Sequence, residues 1–156
     1  MIDSGVQLNH PDLVDSIWEN TDEILGDGID NDGNGYVDDR FGWDFIGNDN
    51  NPTDSNSHGT HVAGIIAAAN NGSGATGVAP DAQIMPIRVL GQSGAGSNRA
   101  VASGIYYAVD NGADIINLSL GGSFSSQIRT ALQYACLLYT SPSPRDLSTS
   151  RMPSSA

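Results

Sequence analysis

The most distinctive stretch of the sequence is Asn56-Ser57-His58-Gly59-Thr60-His61-Val62-Ala63-Gly64, and small or apolar residues continue it to Ala69. The run His58–Ala69 predicts a helix that is small and apolar on nearly all sides, which is typical of a buried helix. Gly59 and Gly64 carry no side chain, so other backbone can approach this helix closely. A histidine in the first turn of such a helix is held rigidly while its ring faces a cleft. Residues 56–64 therefore predict a functional imidazole on a buried helix.

Short apolar runs on both sides of this helix predict the strands of a sheet. Ile2 ends one apolar strand at the start of the chain. Gln83–Leu90 predicts a second strand, interrupted by Pro86, and Asp114–Leu120 predicts a third. Helices alternating with such strands are typical of an α/β fold, in which a parallel sheet has helices on both faces.

Two further helices are predicted between and after these strands. Ser97–Asn111 places apolar residues on one face, with Ser97 as a plausible N-cap and Gly112 at the C-terminal end. Ser125–Ala135 has apolar residues at helical spacing and then breaks off without a capping residue. In sheets of this kind active groups gather at the carboxyl ends of the strands, the positions predicted for Asp3 and Ser119.

The composition excludes several classes of function. The 156 residues include 18 acidic and 6 basic residues, none of them lysine, and give a net charge of −12. Sequence-independent nucleic-acid binding and docking on anionic membranes both need basic residues, so we expect neither nucleic-acid nor membrane partners. No apolar run is long enough to span a membrane, and one cysteine cannot form an internal disulfide framework.

Most of this charge lies in one segment, residues 22–54, which carries ten acidic residues and one arginine. A solvated, disordered acidic loop is one interpretation of such a segment. Large apolar residues such as Trp43 and Phe45 are interleaved with the acids, which favours an ordered segment whose carboxylates are neutralised by something.

Several motifs of the chain, in the same order and spacing, resemble the subtilisin-like serine proteases, the subtilases of peptidase family S8. The motifs are Asp3-Ser4-Gly5, His10-Pro11-Asp12-Leu13, the stretch 56–64, Gly77-Val78-Ala79-Pro80 and Asn117-Leu118-Ser119-Leu120-Gly121-Gly122. The resemblance covers residues 1–135. It implies a subtilisin-like three-layer fold, incomplete at both ends, and a serine endopeptidase that cleaves through an acyl-enzyme.

The resemblance assigns Asp3 to the aspartate and His58 to the general base of an Asp–His–Ser triad. Such a serine needs an imidazole to take its proton, and a buried carboxylate to hold that imidazole in one tautomer. Alone, Asp3 would be interpreted as a turn or cap residue. His58 and His61 could instead ligate a metal in a metal-dependent hydrolase, although no HExxH pattern is present. His61 and His10 are interpreted as structural.

The resemblance also implies where a substrate binds. Two segments would flank an extended peptide, which would be held as an added strand. The segments are Gly94, Ala95 and Gly96 on one side and Ser119, Leu120 and Gly121 on the other. Taken alone, either segment would be interpreted as plain loop.

The nucleophile of the family lies in a Gly-Thr-Ser-Met/Leu-Ala block, and these 156 residues contain no such block. We therefore expect the chain as given to be inactive. Residues 136–156 are rich in serine and proline and are interpreted as a disordered tail or as non-native sequence, similar to translated adapter read-through. Residues 1–135 are accordingly interpreted as a partial catalytic domain.

Calcium would neutralise the acidic segment. Asp30, Asp32, Asn34, the carbonyl of Tyr36 and Asp38 follow the first nine positions of a calcium loop, with Phe41 where an EF-hand has glutamate. Many subtilases carry a similar insertion, and Asp27 and Asp39 are possible extra ligands. The family resemblance implies a second Ca²⁺ site formed by Asp12, Ala69, Asn71, Ser73 and Ala75. A plain acidic surface loop is the alternative.

We thus expect a secreted, monomeric, calcium-stabilised endopeptidase of broad specificity that acts on peptides or proteins. The alternative, from another class, is a calcium-stabilised pseudoenzyme that binds peptides without cleaving them.

Overall fold

The structure is a computed structural model that describes residues 1–139. Its sheet has three short parallel strands, β1 (Ile2–Asp3), β2 (Trp43–Asp44) and β3 (Ile87–Arg88), in the order β1-β3-β2. Ile87 lies opposite Ile2 on one side and opposite Trp43 on the other. The carboxyl ends of all three strands therefore meet at one edge, where Asp3, Asp44 and Arg88 lie side by side.

The strands differ from the sequence prediction in length and number. Only Ile87–Arg88 of the predicted strand Gln83–Leu90 pairs on both sides, because Pro86 has no N–H to donate. The predicted strand Asp114–Leu120 is wrong as a strand, since it makes a single parallel bridge between Leu118 and Ile2. The sequence patterns did not indicate β2.

Three α-helices accompany the sheet: α1 (His58–Ala67), α2 (Asn98–Asp110) and α3 (Ser126–Tyr139). A 3₁₀ turn lies at Val14–Ser16. The expectation that α1 is buried on nearly all sides is wrong. Gly59, Ala63 and Ala67 form its buried face, whereas Ile65 is 55% exposed. Small residues at this four-residue spacing bring one face close to the sheet and leave the other in solvent.

The other two helices lie where the sequence predicts them and differ from the prediction at their ends. Ser97 caps α2, its Oγ accepting a hydrogen bond from the N–H of Ala100 at 3.1 Å, and Gly112 has the positive φ of 73° typical of a helix end. The predicted end of α3 at Ala135 is wrong, because the helix includes Tyr139. Residues 140–156 of the predicted tail lie outside the described residues. No helix among residues 1–139 has the length and apolar character needed to cross a membrane.

Two apolar cores lie on opposite faces of the sheet. Ile2, Ile87 and Val89 pack against α2, which in turn packs against α3. Met1 and Ile84 face the other way and pack against Ala63 and Ala67 of α1. The successive residues Met1, just before β1, and Ile2 therefore point into different cores, as the pleat of a strand requires. The predicted α/β class, with helices on both faces of a parallel sheet, is confirmed.

Two helical glycines offer a matched test of this packing. A Cβ at Gly104 of α2 would lie 2.9 Å from Val89 Cγ1 and 3.0 Å from Ile87 Cγ2, whereas a Cβ at Gly64 of α1 meets nothing within 4 Å. Gly104→Ala is expected to lower the free energy of unfolding by about 1–3 kcal/mol through overpacking. Gly64→Ala is expected to raise it by about 0.5–1 kcal/mol through helix propensity. Urea unfolding measures both, and equal effects would contradict this account of the α2–sheet contact.

Candidate active site

The carboxylate of Asp3 and the ring of His58 form a hydrogen-bonded pair at the carboxyl end of β1. Asp3 Oδ1 lies 2.7 Å from His58 Nδ1, although 55 residues separate them in the chain. Asp3 is completely buried, whereas 47% of the His58 side chain is exposed. The N–H of Ser4 donates a second hydrogen bond to Asp3 Oδ1 at 2.7 Å. The pair combines a fixed buried acceptor with an imidazole that reaches solvent, which suits proton transfer.

Close backbone approach makes this contact possible. A Cβ on Gly59, the residue after His58, would lie 2.1 Å from the carbonyl oxygen of Gly5. Only glycine therefore fits at position 59 without moving the start of α1 away from β1. Gly5 itself has φ +103°, a conformation that L side chains rarely adopt. The Asp-Ser-Gly and His-Gly motifs supply these glycines beside the two reactive side chains.

Asp54 connects the two elements that carry this pair, a role that the sequence analysis missed. Its Oδ1 accepts hydrogen bonds from Ser4 Oγ at 2.9 Å and from the N–H groups of Asn56 and Ser57. Its Oδ2 accepts from the N–H of Thr60 at 2.9 Å and from Thr60 Oγ1 at 2.7 Å. Burial opposes ionisation, but these hydrogen bonds outweigh it and lower the pKa of Asp54 below its usual value. The available signal was an acidic residue four positions before a helix-opening histidine.

A cleft of about 990 Å³ opens beside His58. All six residues predicted to bind substrate line it: Gly94, Ala95, Gly96, Ser119, Leu120 and Gly121. Asn56 also lines the cleft, and its Nδ2 donates to the carbonyl oxygen of Gln92 at 2.8 Å. Ser119 Oγ donates to Asn117 Oδ1 at 3.1 Å. The structure thus brings the predicted imidazole and both predicted substrate segments to one surface.

The alternative of a metal held by His58 and His61 finds no support in the geometry. Within residues 1–139, the only group of at least three potential metal-binding side chains with mutually close ligand atoms is Glu23, Asp32 and Asp39. Neither histidine belongs to it, and His58 Nδ1 is already bonded to Asp3. A third ligand, which that hydrolase would need, is absent from the described part of the chain.

Glu23, Asp32 and Asp39 place three carboxylate oxygens within 4.8 Å of one another. Glu23 is 1% exposed and Asp39 is fully buried. None of the three ion pairs within the described residues involves this cluster. A buried carboxylate is costly unless hydrogen bonds and an opposite charge compensate it, and a bound metal ion is one such charge. Glu23 was not among the predicted ligands, since it lies seven residues before the loop motif.

Tyr107 of α2 closes the buried side of this acidic cluster. Its hydroxyl donates to Asp39 Oδ2 at 2.6 Å. Burial and the hydrogen bond to Asp39 raise the pKa of Tyr107, so it remains a donor at neutral pH. Its ring packs edge to face against Tyr36, with ring centroids 4.9 Å apart. The acidic segment is therefore anchored to the helix that packs on the sheet.

The predicted calcium-loop residues occupy two kinds of position. Asp32 belongs to the three-carboxylate cluster, and Asn34 Nδ2 donates to both Asp32 Oδ2 and Asp39 Oδ2 at 3.0 Å. Asp30 instead accepts hydrogen bonds from backbone N–H groups of its own turn, and Asp38 accepts from those of Gly26 and Gly28. The Tyr36 N–H donates to Asn34 Oδ1 at 2.8 Å.

The predicted second calcium site is a loop folded around Asp12. The N–H of Ala69 donates to the Asp12 carbonyl at 2.9 Å, and the N–H of Ala75 donates to Asp12 Oδ2 at 3.4 Å. Asn71 and Ser73 lie between them, where the N–H of Ser73 donates to Asn71 Oδ1. The structure therefore places Ala69 and Ala75 against Asp12, whereas the bond between Ser73 and Asn71 is local to the loop, and the second calcium site stays a prediction.

Comparison with known proteins agrees with this geometry. The model of the subtilase family matches residues 1–141. The chain is 44% identical over 137 residues to thermitase of Thermoactinomyces vulgaris, covering 86% of this chain and 41% of thermitase. It is 39% identical over 137 residues to the thermophilic serine proteinase of Bacillus sp. strain AK1, covering 86% of this chain and 29% of that protein. The crystal structure of a cold-adapted subtilisin-like serine proteinase superposes with a TM-score of 0.65 at 32% identity, covering 88% of this chain and 41% of the other.

The parallel sheet and the Asp3–His58 pair place the protein in the class of α/β proteins with an acid–base pair at the carboxyl end of a strand. The comparisons identify the family within that class. The chain belongs to the subtilase family. It spans less than half the length of the relatives described above.

Proposed function

We propose that residues 1–135 form the part of a subtilisin-like serine endopeptidase that carries the aspartate and the histidine of its catalytic triad. The observation that carries the proposal is the 2.7 Å contact between buried Asp3 and His58 at the edge of a cleft. Family membership supports serine peptidase chemistry on this scaffold. The segment that completes the site would supply the nucleophilic serine and the oxyanion donor.

In this proposal Asp3 sets the state of the imidazole. An ionised carboxylate only accepts hydrogen bonds, so opposite Asp3 the proton lies on His58 Nδ1 and leaves Nε2 as the base. Nε2 takes the proton of the serine hydroxyl as the oxygen attacks the peptide carbonyl, and later gives it to the leaving amine. Asp3 stabilises the imidazolium formed between these steps, and its burial keeps that interaction out of water.

The substrate would lie as an extended strand between the two cleft segments. Backbone groups of Gly94–Gly96 and Ser119–Gly121 are available on either side, so the main chain of a peptide can pair with both. Recognition through backbone groups supports broad specificity toward peptides and proteins.

A polypeptide of these 156 residues is expected to show no peptidase activity, since it contains no Gly-Thr-Ser-Met/Leu-Ala block. A fluorophosphonate probe should leave every serine unlabelled, while a complete subtilase in the same assay is labelled. Ser119 is the serine to examine by mass spectrometry, because it lines the cleft with His58. Covalent modification there, lost in Ser119→Ala, would contradict the proposal.

Calcium is proposed as the structural cofactor. Glu23, Asp32 and Asp39 fit a Ca²⁺ ion, because they offer hard oxygen ligands and two of them are buried with no ion pair to a cationic side chain in the described part of the chain. The Tyr36 carbonyl would add a neutral ligand, and Asn34 would add another once its amide turned Oδ1 toward the ion in place of Nδ2. Asp30 and Asp38 would shape the loop or join the ligand set. Asp12 with residues 69–75 would form a second site. Bound Ca²⁺ would supply positive charge that stabilises the acidic segment.

A calcium-stabilised pseudoenzyme that binds peptides is the second candidate. The observation behind it is the cleft that both predicted substrate segments line. Binding of an extended peptide to the 156-residue chain with micromolar affinity, without cleavage, would support it. For the enzyme we further propose secretion, since millimolar external Ca²⁺ suits weak loop sites. A monomeric state is also proposed.

A further inference from the structure

We propose that Asp54 is a positioning residue for the acid–base pair. Its carboxylate joins the chain after β1 to the first turn of α1, and so holds His58 Nδ1 against Asp3. This inference rests on the proposed role of His58 as a base, but it concerns the geometry of the pair rather than peptide cleavage.

The carboxylate of Asp54 makes one continuous hydrogen-bond path between the two partners. Its Oδ1 accepts from Ser4 Oγ at 2.9 Å, and the same Oγ accepts from the N–H of Gly59 at 3.0 Å. The N–H of Ser4 donates to Asp3 Oδ1 at 2.7 Å. Ser4 therefore contacts Asp3 through its backbone and the residue after His58 through its side chain.

The second oxygen of Asp54 fixes the helix itself. Oδ2 accepts from both the backbone N–H and the hydroxyl of Thr60, two residues after His58. The residue before His58, Ser57, has φ 80° and makes no side-chain capping bond, so Asp54 takes the place of an N-cap.

The backbone of Asp54 is anchored independently of α1. The N–H of Asp54 donates to the carbonyl of Val6 at 3.3 Å, and the N–H of Val6 donates to the carbonyl of Pro52 at 3.0 Å. A simple helix cap would need only the bond to Thr60. The additional attachment to Val6 and Ser4 ties the cap to the chain that carries Asp3.

Such positioning matters because the His58 ring is not held by burial. Its side chain is 47% exposed, and its one hydrogen bond among the described residues is to Asp3. A small displacement of the first turn of α1 would lengthen that bond, and the neutral ring would then shift toward the Nε2–H tautomer. That tautomer has its lone pair on the wrong nitrogen for a base facing the cleft.

The test is the tautomer of His58, read from the ¹⁵N shifts of Nδ1 and Nε2 and from the downfield Nδ1–H proton of the ¹⁵N-labelled 156-residue chain. Spectra are recorded above the pH range in which imidazoles ordinarily titrate. The unsubstituted chain should show mainly Nδ1–H. Asp54→Asn should lower the ratio of Nδ1–H to Nε2–H about tenfold and remove the downfield proton, the effect of losing one charge-assisted hydrogen bond.

Matched variants separate positioning from charge and from folding. Ser4→Ala breaks the path through Ser4 Oγ, and Thr60→Val removes one of the two hydrogen bonds that Thr60 donates to Oδ2. Both variants keep the Asp54 charge, and both should shift the tautomer in the same direction as Asp54→Asn. Thr60→Ser restores the hydroxyl and should restore the Nδ1–H signal. Asp15→Asn removes one exposed charge in the 3₁₀ turn and should change nothing.

Two outcomes would overturn the inference. An unchanged tautomer in Asp54→Asn, Ser4→Ala and Thr60→Val would show that His58 needs no such support. A shift in Asp54→Asn alone would assign the effect to charge instead of position. Neither outcome involves peptide cleavage, so the inference and the proposed peptidase function can fail separately.

Discussion

Replacing His58 by alanine is expected to lower kcat about 10⁶-fold in a peptidase that contains this segment, and Asp3→Ala about 10⁴-fold. Both magnitudes are those that removal of the corresponding residues has in subtilisin. The suitable enzyme is a chimera in which residues 1–135 replace the matching part of the thermophilic serine proteinase. The order of the two effects has a physical reason: the base transfers the proton, whereas the carboxylate only orients and stabilises the base.

The measurement is kcat and KM on a chromogenic peptide, with His61→Ala as the matched control. His61 is exposed on the same helix and is expected to leave kcat unchanged. Similar losses for His58→Ala and His61→Ala would indicate a metal-binding or purely structural role for the two histidines. A large rise in KM with unchanged kcat would also contradict the assignment of His58 as the base.

Removal of calcium is expected to have the largest effect on stability. An ion present at about 1,000 times its dissociation constant stabilises the folded chain by about 4 kcal/mol. For a domain of this size that corresponds to a fall in Tm of about 10 °C or more when EDTA replaces Ca²⁺. The physical reason is that Glu23 and Asp39 are buried beside Asp32 and make no ion pair with a cationic side chain among residues 1–139.

Variants of the acidic cluster locate the effect. Glu23→Gln and Asp39→Asn should abolish most of the calcium-dependent rise in Tm, whereas the exposed Asp15→Asn should retain it. Asp12→Asn tests the second site separately. Equal Tm values of the unsubstituted chain in EDTA and in Ca²⁺ would contradict both calcium sites.

The structural elements that could be predicted from the sequence are those marked by residue patterns close together in the chain. Ser97 before an apolar periodicity and Gly112 after it define α2, and the structure has that helix one residue shorter at each end than Ser97–Asn111. The Asp3–His58 pair followed from two motifs together with the family resemblance. Neither residue alone carried that information, since 55 positions separate them.

The features that could not be predicted from the sequence depend on contacts between residues far apart in the chain. β2 at Trp43–Asp44 exists because its backbone pairs with β3, and its acidic surroundings gave no strand pattern. Glu23 joins the carboxylate cluster through a turn that brings it back to Asp32, so the spacing of a linear loop motif could not reveal it. Asp54 acts through Ser4 and Thr60, which are 50 and 6 residues away. Burial of α1 was overestimated because apolar composition does not show which face meets the sheet.

The central claim is that residues 1–135 supply a working acid–base pair to a serine peptidase. The most direct test is the pre-steady-state reaction of the unsubstituted chimera with an activated peptide ester. The account predicts a burst of product equal to the enzyme concentration, marking the acyl-enzyme, followed by steady turnover. A folded chimera that binds the peptide but shows neither burst nor turnover would contradict it.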